Sequence, residues 1–113
     1  MAYTELPVRT RGVCCDLALA AEPAELAPAV EVLKALADPT RLSMVATLRR
    51  HGQPVCICDL VAVYELSQPT ISHHMGVLKD AGLIEFEKRG LWRFYTLRRD
   101  LPPPIRRLIE DIT

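Results

Sequence analysis

Residues 67–82 read SQPTISHHMGVLKDAG, a segment with its own start, its own stop and a single buried face. Ser67 is a helix-capping residue, Gly82 stands in the usual place just beyond a helix end, and Ile71, Met75 and Leu78 recur at i, i+4 and i+7. A helix with one narrow apolar stripe buries that stripe on a core made by its neighbours and turns the other side outward. The outward side collects Pro69, Thr70, His73, Gly76 and Val77, with Gln68, Ser72 and His74 on its flanks. It is nearly uncharged and rich in small hydrogen-bonding groups. Such groups suit base edges in a major groove, where Gln is bidentate to adenine and Ser, Thr and His donate or accept. An ordinary solvated face is the alternative reading. His74 lies about 60° from the centre of the apolar stripe, which predicts a satisfied, partly buried imidazole rather than a ligand.

The neighbouring segments supply the rest of a fold. Residues 1–22 lack sustained periodicity and predict a loosely held arm carrying Cys14 and Cys15; residues 23–113 predict one domain. Leu26, Val30, Leu33 and Ala37 form the stripe of a first long helix. Asp38 and Pro39 stop it and start a second, with Leu42, Val45 and Leu48 buried and His51-Gly52 at its end. A short helix follows to about Tyr64, and Glu65-Leu66 makes the turn into the segment capped by Ser67. Then IEFE and LWRFYTL read as two short strands separated by Lys88-Arg89-Gly90, a basic hairpin tip. The chain closes with PPPIRRLIEDIT, a helix with Ile105, Leu108, Ile109 and Ile112 on one side. Two short helices joined by a tight turn and followed by a basic hairpin make a mainly α, winged helix-turn-helix domain. The four apolar residues of the last helix and the stripe of the first predict a two-fold homodimer built on these terminal helices.

Charge distribution supports a nucleic-acid partner where net charge does not. The whole chain is formally neutral, yet residues 67–99 carry six cations (Lys79, Lys88, Arg89, Arg93, Arg98, Arg99) against three anions (Asp80, Glu85, Glu87). Ser67, Gln68, Thr70, Ser72, His73, Lys88, Arg89 and Arg93 are therefore the candidate DNA contacts, with double-stranded DNA as partner. No run of 18 apolar residues exists, and Glu5, Pro7, Arg9, Arg11 and Asp16 interrupt the start of the chain, so a cytoplasmic protein without a membrane partner is expected. The chain has no CxxC, no glycine-rich phosphate loop and no HExxH, which argues against an enzyme.

Four cysteines in a reducing compartment point to metal binding or redox chemistry rather than a disulfide framework. Cys56 and Cys58 stand two apart where a helix is about to begin. On a helix that spacing sends the thiols to nearly opposite sides, whereas in an extended segment it puts both on one face. Chelation and helix are thus expected to compete.

The order of LKALADPTRLSMVATL, VCICDL, LSQPTISHHMGVLKDAGLI and a hairpin ending in FYTL resembles the ArsR/SmtB family of metal-responsive repressors over residues 30–97. The resemblance implies a homodimeric repressor that sits on operator DNA and leaves when a toxic metal or metalloid binds, with Cys56 and Cys58 matching the family's thiol site. Many arsenic-sensing members carry a third cysteine where this chain has Val61. A third thiolate would then come from Cys14 or Cys15, within the subunit or across the dimer. An all-thiolate set suits As(III) or Sb(III), arsenite or antimonite, as inducer; Cd(II) or Pb(II) is the alternative, ahead of zinc, copper(I) or a thiol redox switch on the same scaffold.

Overall fold

The computed structural model describes residues 5–13 and 17–113. Among described residues before Pro23 there is no helix or strand. A single 3₁₀ turn, Pro23–Leu26, leads into α1 (Ala27–Leu36) and α2 (Pro39–His51); then come β1 (Val55–Cys56), α3 (Ile57–Tyr64), α4 (Gln68–Asp80), β2 (Ile84–Arg89), β3 (Trp92–Leu97) and α5 (Pro103–Ile112). The arrangement is a winged helix-turn-helix, with α3 and α4 as its helix pair and the β2–β3 hairpin as the wing.

Local chemistry sets the helix ends. Asp38 caps α2 by accepting from the Arg41 N–H at 3.0 Å, and that hydrogen bond holds its carboxyl below the usual carboxylate range. Pro39 fills the first turn, where no N–H is needed, and Gly52 ends the helix in the left-handed region at φ 72°. Ser67 caps α4 through the Thr70 N–H at 3.3 Å. Glu65, at φ 54°, is the left-handed residue that turns α3 toward α4.

The core gathers Met44, Val45 and Leu48 of α2, Leu60 of α3, Ile71, Met75 and Leu78 of α4, and Leu83, Ile84 and Tyr95 around the sheet. Arg41 joins three helices: its Nε donates to the Ala35 carbonyl at the end of α1 (2.8 Å), and its Nη1 donates to His74 Nδ1 on α4 (3.4 Å). His74 is half-buried and partnered, as its angle on the helix predicts.

Four expectations change. The hairpin becomes a three-stranded antiparallel sheet of order β1-β3-β2, because Val55 and Cys56 pair with Tyr95 and Phe94. Two residues are too few for strand alternation to be read. The hairpin tip also moves: Lys88 and Arg89 continue β2, pairing with Arg93 and Trp92, so the loop is Gly90-Leu91. The expected α1 stripe faces away from the core. Leu26, Val30 and Leu33 are 48, 40 and 53% exposed, Ala37 lies past the helix end, and the packed side is Val32, Ala35 and Leu36. Finally, Ile109 of α5 is 1% exposed within a single chain, so it belongs to the protomer core and is not free to form a dimer surface.

These positions separate folding from assembly. Ile109→Ala is expected to lower unfolding free energy by about 2–5 kcal/mol, the range for a truncated buried aliphatic residue. Leu33→Ala should cost under about 1 kcal/mol in the isolated protomer. Urea denaturation followed by circular dichroism at low protein concentration measures both.

Candidate nucleic-acid interface and thiol site

The burial of Ile71, Met75 and Leu78 fixes the rotation of α4 and turns Gln68, Thr70 and His73 to solvent, with Ser72 half-buried beside them. Ser67 and Thr70 are also bound to each other, Oγ to Oγ1 at 2.9 Å, and Ser67 Oγ holds the cap. Their hydroxyls organise the first turn of the helix, leaving Gln68, Ser72 and His73 as the side chains free to reach a ligand.

The wing brings two of the expected cations, Lys88 and Arg93, close to that turn. Arg93 is half-buried with its guanidinium over the Phe86 ring at 4.7 Å, and Lys79 from the end of α4 lies over the same ring at 5.0 Å. Phe86 therefore acts as a platform that spaces two cations. Arg89 pairs with Glu87 at 3.0 Å on the exposed face, a bond that water and a phosphate can readily replace. Gln68, Lys88 and Arg93 line one cleft of about 300 Å³, together with Ile57, Gly90, Leu91 and Trp92. The start of α4 and the wing thus share one face.

At the cysteine pair the structure overturns the expected conflict between helix and chelation. Cys56 is not in the helix; it is the N-cap of α3, with extended backbone at φ −70° and ψ 145°. One extended residue followed by the first two residues of the helix brings the two sulfurs to the same side, into contact, while α3 stays intact. A capping box holds this geometry. The Cys58 N–H donates to Cys56 Sγ at 3.4 Å, and the Cys56 N–H donates to Asp59 Oδ2 at 3.3 Å. The Cys58 thiol also donates to Cys56 Sγ, which pushes its pKa up, with the nearby Asp59 carboxylate adding to the effect. Cys56 is buried and Cys58 exposed, so the pair opens to solvent on one side. Val61, at the position of the missing third thiol, is half-buried against the core. Cys14 and Cys15 lie outside the described residues. Among the described residues no group of three or more His, Cys, Asp or Glu side chains converges as a metal site.

The Cys-x-x-Asp pattern at residues 56–59 was the available signal for the cap. It was missed because cysteine rarely takes the place of Ser or Thr in a capping box. The bridge from Arg41 to His74 had no sequence signal, since it joins residues 33 positions apart.

Comparison with known proteins agrees with this architecture. Residues 38–85 match the model of the family described as bacterial regulatory protein, arsR family. The chain is 38% identical over 84 residues to the uncharacterised HTH-type transcriptional regulator MJ1325 of Methanocaldococcus jannaschii, covering 74% of this chain and 93% of that one. It is 37% identical over 82 residues to the arsenical resistance operon repressor of Escherichia coli (strain K12), covering 73% and 69%. Among solved structures it superposes on HlyU from Vibrio cholerae with a TM-score of 0.67 at 30% identity, over 80% of this chain and 94% of that one. With α3, α4 and the wing arranged as they are, the chain belongs to the ArsR family of DNA-binding transcriptional regulators and is not an enzyme.

Proposed function

We propose that the chain is a cytoplasmic, homodimeric repressor of operator DNA that is released when arsenite or antimonite binds its cysteine thiolates. The observation that carries this reading is the convergence of Cys56 and Cys58 sulfurs at the N-cap of α3. A trivalent metalloid supplies three soft coordination positions, and two converging thiols fit two of them. The third donor is Cys14 or Cys15, from the same subunit or its partner. The likeness to an arsenical resistance operon repressor favours this class of inducer. Cd(II) or Pb(II) fits the same soft donors, and two free thiols on one side of the chain also favour a second reading, reversible thiol oxidation.

Cys56 links the thiol site to both DNA-reading elements. It pairs with Phe94 in β3, one residue from Arg93, and it caps α3, whose Leu60 packs in the same core as the α4 stripe. Drawing its sulfur into a new bond removes an acceptor from the Cys58 N–H and shifts the first turn of α3 against α4 and β1 against the wing. No unwinding of α3 is needed.

Two recognition helices held about one turn of DNA apart require a dimer. Its surface is the outward α1 stripe with Ile112 of α5, which is 50% exposed. Leu33→Asp combined with Ile112→Asp is expected to give folded monomers by sedimentation; a persisting dimer places the interface elsewhere.

For DNA, Ser72→Ala or His73→Ala should weaken specific binding by roughly 1–3 kcal/mol per lost base contact. Arg89→Ala should weaken all sequences alike and flatten the salt slope by about one. Fluorescence anisotropy on operator and scrambled duplexes distinguishes the two, and equal losses on both for His73→Ala reject direct readout.

For the inducer, Cys56→Ser or Cys58→Ser should bind operator normally and ignore arsenite, since serine at position 56 keeps a capping oxygen and either change discards a soft ligand. The Cys14→Ser, Cys15→Ser double variant should be equally unresponsive. Operator release measured on reduced, chelator-treated protein decides: full release of that double variant removes the arm from the site, and release by peroxide alone establishes the redox reading.

A further inference from the structure

The wing ends in an apolar tip. Arg89 and Trp92 are the last paired residues of the hairpin, leaving Gly90 and Leu91 as a two-residue loop. Gly90 has φ 62°, and Leu91 is not among the residues of positive φ, which is the Gly-X pattern of a type II′ turn. A turn of this type is short and matched to the twist of its strands, so its second residue stands at a well-defined apex. Leu91 is fully exposed, and Trp92 beside it is 56% exposed. A large aliphatic side chain left fully exposed at the rim of a cleft adds little to packing, and in water it is a liability. Its surroundings point to an occupant. Lys88 and Arg89 are exposed next to it, and the cleft behind it is shared with Gln68 at the start of the recognition helix. Apex, Lys88, Arg93 and the first turn of α4 therefore face the same side, with Arg89 on the opposite face of the wing, a charge pattern that complements a groove lined by phosphates on both edges.

We propose that Leu91 is a minor-groove wedge. With α4 in the major groove, Leu91 enters the adjacent minor groove between two base pairs, partly unstacks them and bends the duplex, while Lys88, Arg89 and Arg93 hold the flanking phosphates. The proposal rests on the reading of the chain as a DNA-binding repressor. Apolar side chains of this size are what minor-groove proteins insert, with kinks of roughly 20–90°. Pyrimidine–purine steps open most readily, so a TA or CA/TG step is expected under the wing.

The test uses the full chain and a duplex of about 30 base pairs selected by it from random-sequence DNA. Donor and acceptor dyes at the duplex ends report bending, and 2-aminopurine at the step under the wing reports unstacking. Wild type should bend the duplex and raise 2-aminopurine emission. Leu91→Ser, folded by circular dichroism and with an unchanged melting temperature, should bind about five- to tenfold more weakly and lose most of both signals. Arg89→Ala should weaken binding while leaving the bend of the bound duplex intact. Wild-type binding without a bend, or a bend and unstacking unchanged in Leu91→Ser, overturns the wedge and leaves the DNA-binding reading standing. Failure to select any duplex overturns both. Leu91-dependent binding to phosphatidylserine vesicles together with an unbent duplex assigns the tip to a membrane surface and overturns the wedge.

Discussion

The buried stripe of α4 is the constraint on which the rest depends. Ile71, Met75 and Leu78 are removed from water by α2, α3 and the base of the sheet, and a helix held along one line cannot rotate. Its outward face is thereby decided with no contact made by that face itself. Arg41 adds a polar tie, reaching from the end of α1 to His74, so the helix is gripped through its core side and along one flank. The first turn, organised by Ser67 and Thr70, is then presented to solvent at a fixed height and angle. Reading a groove needs that rigidity, because hydrogen bonds to base edges tolerate little misplacement.

Cys56 concentrates the second half of the design in one residue. It ends a strand, begins a helix and offers a sulfur to solvent-facing Cys58. An N-cap is a natural place for a switch. Its side chain already serves as a hydrogen-bond acceptor for the helix start, so any chemistry that recruits the sulfur competes with the cap. In the proposed switch that competition is milder than unwinding a helical turn, and it acts at once on α3 and on β1, the strand paired with β3 of the wing. A small free energy at the site then biases two elements of the proposed DNA face without disturbing the core.

Two sets of exposed apolar groups stand out in the folded domain. Leu26 in the turn before α1, Val30 and Leu33 of α1 and Ile112 of α5 form one, and Leu91 and Trp92 at the end of the wing form the other. The first set is a broad helical surface, as a second copy of the chain would require. The second is a narrow apex flanked by cations, better shaped for a groove than for a flat protein face.

Much of this was legible in the chain alone. The ends of α2 and α4, the buried stripe of α4, the partnered state of His74 and the placement of a wing after the helix pair follow from capping residues and helical period, which are local properties. What the tertiary structure decided concerns partners. Period shows that α1 has apolar residues on more than one side, but only packing determines that Val32, Ala35 and Leu36 meet the core while Leu33 does not. Likewise Ile109 and Ile112 share a stripe, and the curvature of the core covers the first and leaves the second half-exposed. The strand at Val55–Cys56 exists because β3 offers it hydrogen bonds, and pairing through Arg89 and Trp92 moves the loop onto Gly90-Leu91. The direction of the Cys56 sulfur depends on a single backbone conformation at the junction of strand and helix. A residue at such a junction obeys neither period, so its side chain points where the two neighbouring elements, packed together, require.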